Sequence, residues 1–239
     1  MQLLDRTFPT PEQNLACDEA LLDCAESGEG GETLRFWEPT TPFVVLGHSN
    51  RLTLEVDASA CERLGIPILR RCSGGGAVLQ GPGCLNYALI LRIEAAPTLA
   101  TVTQTNRFIM DRHRDALSAL LREPVEIEGV TDLVIAGRKF SGNAQRRKRH
   151  FLLFHGTFLL NLDLTLVERA LLLPPKQPGY RGNRGHLDFL RNLHVSAAAV
   201  KEALGASWQA SRPVPSTPIE RIERLVHAKY SLPAWTRKF

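Results

Sequence analysis

Three consecutive glycines, Gly74, Gly75 and Gly76, stand between the strand-like run "IPILRR" and the apolar run "CLNYALILRI". Glycine loses more conformational freedom on folding than any other residue and offers a core nothing to pack. A triplet therefore marks a place where the backbone takes a positive φ or where another group approaches it closely. The two common nucleotide-binding loops do not account for it. No Gly-Lys-Ser/Thr follows, and the glycines lead to a strand rather than into a helix. Two readings remain. The amides from Ser73 to Gly76 can form an anion-binding nest, with Arg70 and Arg71 beside it as forks suited to phosphate or carboxylate. The plainer reading is a bulge or tight turn carrying a surface arginine pair.

The pattern on either side predicts alternating helices and strands. Thr10 as N-cap, Pro11 at the first position and Gln13 completing a capping box open a helix whose stripe is Cys17, Ala20, Leu21, Cys24 and Ala25. "TLRFW" and "FVVLG" read as strands, and Ala58 to Leu64 as a short helix closed by Gly65. "TVTQTNRFIMDRHRDALSALL" is a long helix. "VEIEG", "DLVIAG" and "FLLFHGTFLLNL" are three further strands, the last two forming a hairpin with "NAQRRKRH" at its tip. Two helical regions follow, near Ala197–Leu204 and Ile219–Lys229. This order predicts an α+β fold around a mixed sheet. The five cysteines are odd in number and contain no CxxC pair, which with the lack of a secretory leader predicts free thiols and a cytoplasmic location. No apolar run approaches ~18 residues, so no membrane span is expected.

Two more segments carry chemistry. In "GVTDLVIAGRKFSGNAQ", Gly137 and Gly142 bracket Arg138, Lys139 and Ser141, so the ammonium of Lys139 can be aimed at one point; Asp132 upstream can bind a metal or an amine. In "HGTFLLNLDL", His155 and Thr157 lie two apart and share one face of a strand. The plainer readings are a basic hairpin surface and a structural histidine.

Taken in order, "RRCSGGGAV", "TDLVIAGRKFSGNA" and "HGTFLLNLDL" resemble the catalytic domain of lipoate–protein ligases, a family grouped with biotin ligases and octanoyltransferases; "NLACDEALL", "VVLGHSN" and "YRGNR" fit similarly. The resemblance implies an α+β catalytic domain over residues 1–239, with a helical segment from 212 to 239 and no accessory domain. It implies ATP-dependent conversion of lipoate (or octanoate) to the acyl-AMP, with Mg²⁺ on the phosphates. The acyl group then passes to a lysine of a lipoyl carrier domain, in a dehydrogenase-complex E2 subunit or a glycine cleavage H protein, with or without a separate small accessory protein. By position, Lys139 would be the catalytic cation. Arg71, Ser73, Gly74, Gly75, Gly76 and Ala77 would line the acyl and adenylate cavity, with Ser141 and Gly142 beside the lysine. Asp132 would serve the nucleotide, Mg²⁺ or the incoming lysine, and His155 and Thr157 would lie near the nucleotide. Arg146, Arg147, Lys148 and Arg149 lack interleaved aromatics for nucleic acid and would steer an acidic carrier.

The chain departs from the ligases in two places: Gln80-Gly81 stands where they have His-Asp, and Thr131 where they have Asn. The alternative is an ATP-independent octanoyl- or lipoyltransferase working through a cysteine thioester. Those relatives place the nucleophile shortly before the lysine segment or well after it. Here no cysteine follows Cys84, which leaves Cys72 and Cys84, flanking the glycine loop. The biotin-ligase loop "GRGR-x-G" is absent.

Overall fold

The computed structural model describes residues 1–239. Its strands are β1 (Gln2–Asp5), β2 (Thr33–Trp37), β3 (Phe43–Leu46), β4 (Ile68–Arg70), β5 (Val78–Gln80), β6 (Cys84–Arg92), β7 (Glu126–Glu128), β8 (Asp132–Ile135), β9 (Arg138–Arg147), β10 (Phe151–Leu159) and β11 (Arg212–Pro213). The helices are α1 (Pro11–Glu26), α2 (Leu52–Glu55), α3 (Ala58–Leu64), α4 (Val102–Leu121), α5 (Leu164–Ala170), α6 (His186–Phe189), α7 (Ala197–Ser207), α8 (Ile219–Leu225) and α9 (Pro233–Thr236). Eight strands form a mixed sheet in the order β11-β1-β2-β6-β10-β9-β8-β7. The other three form a small sheet, β4-β3-β5. The expected α+β architecture is present.

Local signals placed the helix ends well. Thr10 Oγ1 accepts from the Gln13 amide at 3.2 Å and the Gln13 side chain returns the bond, completing the box at the start of α1. Gly65 closes α3 at φ 64°, the left-handed conformation that favours glycine. Strand alternation then sorts the large sheet into two faces. Leu34, Phe36, Leu85, Leu89, Leu152, Phe154 and Phe158 meet Ile109, Leu117, Val200 and Leu204 of α4 and α7 in the largest apolar cluster. The opposite face carries α1, whose Leu15, Ala16, Ala20 and Leu22 pack with Ala88, Ile90, Leu153 and the small sheet.

Two expectations change. The strand leaving the glycine loop is β5, which pairs with β3; β6 follows only after the Gly81–Gly83 turn. And the segment expected to be a hairpin tip is itself a strand: β9 lies between β8 and β10 and carries Lys139 through Arg147. Gly, Ser, Asn and Gln in "FSGNAQ" mask the strand's apolar alternation.

His113 of α4 is buried, and its Nε2 accepts from Trp208 Nε1–H at 2.9 Å. Burial, with Arg112 adjacent, pulls its pKa from 6.5 to about 3. The unfolded chain therefore takes up this proton first. The stability from keeping the ring neutral is complete above pH ~6.5 and is lost as pH falls toward 3. His113→Asn, which keeps an acceptor, is expected to give a shallower loss of stability in urea melts over this pH window.

Candidate functional site

Lys139 owes its direction to a bulge. Lys139 and Gly142 are three residues apart, so an unbroken strand would send them to opposite faces. The β8–β9 register runs Leu133↔Ser141 and then Val134↔Lys139, leaving Phe140 as the extra residue. Phe140 and Ser141 both turn to the helix-covered face, where Phe140 joins the apolar cluster. Lys139 is thereby returned to the side that carries Asp132 and Gly142, the re-aiming that bulges commonly provide. Its ammonium sits 2.7 Å from Asp132 Oδ1 with the side chain 24% exposed. Asp132 Oδ2 accepts from Tyr180 O–H at 2.7 Å. Burial, then the Asp132 charge, pushes the Tyr180 phenol up and keeps it a donor. A Cβ on Gly142 would lie 2.8 Å from the Lys139 Nζ, so that glycine gives the ammonium its room.

The glycine loop crosses the same face. A Cβ on Gly75 would lie 3.7 Å from that of Ala144, two residues along β9 from Gly142, so loop and ammonium are neighbours about 7 Å apart along the strand. Gly75 needs its identity twice over: its φ is +87° and a Cβ would meet Arg71 Nη2 at 2.7 Å. Gly47 passes so close that a Cβ there would fall 1.9 Å from the Gly75 carbonyl oxygen. Arg71 does not reach out toward an anion, as its position in the motif suggested. Its buried guanidinium donates to the carbonyls of Gly74 (2.5 Å), Gly76 (2.9 Å) and Val45 (3.3 Å). With those carbonyls held inward, the amides of Gly74, Gly75 and Gly76 donate to nothing within the chain and all three residues are exposed. The exit is fixed by Glu55, which accepts from the Ala77 amide at 2.5 Å and pairs with Asn50.

His155 and Thr157 share the site face, as their spacing predicts. His155 Nε2 lies 2.5 Å from Ser73 Oγ and Nδ1 lies 3.2 Å from Asp18 Oδ2, while the other Asp18 oxygen pairs with buried Arg35. The ring is thus fixed between the glycine loop and α1. Asp18 is not among the residues the motifs single out; the polar residues within the apolar run "NLACDEALL" are the signal, because a buried acid requires a partner. Thr157 bridges Gln80 and Asn86, whose Oε1 and Nδ2 are buried without partners. Ser141 does not join the group: it faces the other side of β9 and accepts from Asn143 Nδ2 at 3.3 Å. Both oxygens of Asp132 are already engaged, one by the Lys139 ammonium and one by the Tyr180 phenol, so a Mg²⁺ carried on phosphates would have to displace one of them to reach it.

The basic run is not a free steering surface. Arg146 donates to the Cys72 carbonyl at 2.8 Å, Arg147 to Leu99 O at 2.7 Å, and Lys148 pairs with Asp23 at 2.5 Å; of the four, Arg149 is the exposed one. All five cysteines are buried. Burial pushes the Cys72 and Cys84 thiols up to about 12 and that of Cys17 to about 11.

Residues 10–208 match the family model described as the lipoyl protein ligase A/B catalytic domain. Octanoyltransferase LipM of Geobacillus kaustophilus is 29% identical over 99% of this chain and 98% of its own length. Among solved structures, the bipartite lipoate protein ligase of Thermoplasma acidophilum, studied with its E2 lipoyl domain, has a TM-score of 0.82 at 23% identity, covering 99% of this chain and 95% of that one. A lipoate-protein ligase A bound with ATP has a TM-score of 0.81 at 23% identity, covering 99% and 98%. The fold is shared with ligases, while the curated relative carries the name of an octanoyltransferase. No helix is long and apolar enough to cross a membrane. On the family match and the full-length similarity, this chain belongs to the lipoyl protein ligase A/B catalytic-domain family, as its ordered motifs implied.

Proposed function

We propose that the chain forms an amide between a lipoyl or octanoyl group and a lysine of a lipoyl carrier domain, and that it activates the acid with ATP. The observation that carries this reading is the pairing of a clamped ammonium, Lys139, with three free main-chain amides on one sheet face, while every thiol is buried. A carboxylate meeting a phosphate brings two anions together, and fixed donors aimed at the developing charge lower that barrier. Lys139 and the amides of Gly74–Gly76 would hold the phosphate next to the acyl carboxylate. Mg²⁺ would ride on the phosphates, the arrangement it favours. ATP, when bound, supplies the activation of the acid as a mixed anhydride. Asp132, held by Tyr180, keeps Lys139 in place, and the unpartnered Gln80 and Asn86 atoms offer an acceptor and a donor to a polar ligand. Two structural neighbours, a lipoate-protein ligase A bound with ATP and a bipartite ligase studied with its E2 lipoyl domain, support this route and this kind of partner.

A second reading, octanoyl or lipoyl transfer without ATP, is the one that the names of the curated relatives favour over ligation, octanoyltransferase LipM recurring among them. It requires a thiolate, and desolvation opposes one at Cys72 and Cys84. One experiment separates the routes. An apo lipoyl domain is incubated with octanoate or lipoate and Mg-ATP, or with an octanoyl-carrier thioester alone, and acylation is followed by mass spectrometry. Ligation is expected to release pyrophosphate, to resist iodoacetamide and to retain at least about half its rate in Cys72→Ala/Cys84→Ala, since buried free cysteines act as small hydrophobes. Transfer from the thioester without ATP, abolished by the alkylating agent, would replace the ligase reading with the transferase one.

A further inference from the structure

The arginine beside Arg71 makes a different connection. Arg70 is fully buried and has no carboxylate partner within salt-bridge distance. Its guanidinium is satisfied by main-chain carbonyls from two remote segments. Nη1 donates to Gly47 O (2.7 Å), Asn50 O (2.8 Å) and, more weakly, His48 O (3.3 Å). Nε and Nη2 donate to Thr236 O (3.0 and 2.7 Å), and Nε also to Trp235 O (3.1 Å). The bond is returned: Trp235 Nε1–H donates to Arg70 O at 2.8 Å. The segment is held at its base by Glu19 of α1, which accepts from Lys229 at 2.6 Å and from Tyr230 O–H at 2.7 Å. At its far end Lys238 Nζ lies 3.1 Å from His48 Nε2 and 3.8 Å from the Trp235 ring centroid.

Those acceptors sit next to the glycine loop. Gly47 runs against Gly75, leaving no room for a Cβ between them, and the His48 amide donates to Ser73 O at 2.7 Å. Without Trp235 and Thr236, half of the Arg70 guanidinium would exchange fixed main-chain acceptors for water, and the Arg70 carbonyl would lose its donor. The end of β4 and loop 47–50, the two supports of Ser73–Gly76, would then be freer to move. We propose that residues 233–239 form a strap that sets the position of the glycine loop, with Arg70 and Trp235 as positioning residues for the site. They act through the loop, and neither is required to touch a substrate.

The test compares the full chain with a chain ending at Ser231 and with Trp235→Phe, which keeps the ring and removes the N–H. Amide hydrogen exchange is read at the hydrogen-bonded amides of the two loop segments, His48 and Asn50 in one and Arg71 and Ala77 in the other, and, as an internal reference, in β6 and β10. The expected result is exchange about tenfold faster or more at both loop segments in the shortened chain, with β6 and β10 unchanged. In Trp235→Phe, which loses one hydrogen bond, the increase is about threefold. The point variant decides the matter if the shortened chain does not fold. In the acylation assay, Trp235→Phe is expected to lower kcat several-fold while KM for the carrier stays within about twofold. Unchanged exchange at the Arg71 and Ala77 amides, or an equal rise in β6 and β10, would overturn the proposal, as would an unaltered kcat with a loosened loop. The exchange measurement stands whichever acylation route the chain uses, and also if it uses neither.

Discussion

Lys139→Ala is expected to slow acylation of the carrier lysine by about 10²–10³-fold, the usual consequence of removing one preorganised donor from a developing anion. The thermal midpoint should move by only a few degrees. Lys139 belongs to none of the apolar clusters, and Asp132 keeps its bond from Tyr180 when the ammonium is gone. The loss should appear in kcat/KM for the acid and not in the affinity for the carrier domain. Lys139→Arg is not expected to rescue: the ammonium already occupies the space that Gly142 leaves, and a planar guanidinium is larger and differently hydrated. A variant retaining more than about a tenth of the wild-type rate would mean that the ammonium is structural and that the charge-stabilising role proposed for it is wrong.

Gly47→Ala is expected to be as damaging to activity, by an unrelated route. The new methyl would lie 1.9 Å from the Gly75 carbonyl oxygen and 3.0 Å from its carbon, and these are backbone atoms that cannot rotate away. Gly75 has little freedom to retreat, because its own φ is +87° and Arg71 packs behind it. Relief requires the glycine loop to lift from the sheet, at a cost of about 1–3 kcal/mol typical of overpacking and with loss of the alignment between amides and ammonium. Gly74→Ala is the control: nothing lies within 4 Å of its Cβ, so stability should change by less than about 0.5 kcal/mol. Unfolding curves and the acylation assay run in parallel on the two variants check this. Wild-type-like activity in Gly47→Ala would show that loop position does not matter to the reaction.

The same triplet shows what a sequence conveys and where it stops. The cap at Thr10, the stop at Gly65 and the shared face of His155 and Thr157 were legible because each depends on residues a few positions apart. The meaning of the glycines was half legible. That a backbone is approached can be read from composition, but that the approaching group is Gly47 depends on the pairing of β3 with β4 and β5. Arg71 misled because an arginine beside glycines suits an external anion as well as it suits the loop's own carbonyls, and only the turn geometry decides between them. Tyr180 and Asp132 are 48 residues apart, and Arg70 and Thr236 are separated by 166. No local pattern encodes such partners. "GRKFSGNAQ" hid a strand because the face of β9 that carries the site is lined by small and polar residues, which leave no apolar alternation to detect.

The extra residue in β9 has a consequence for how this enzyme tolerates change. The phenyl ring of Phe140 is the rivet that keeps the strand out of phase, and the lysine on the reverse side inherits its aim from that rivet. Loss of the ring would let the ribbon relax into ordinary alternation and swing the ammonium toward the helices. On the role proposed for Lys139, an apolar side chain at position 140 and a charge at position 139 are therefore tied together through the bulge.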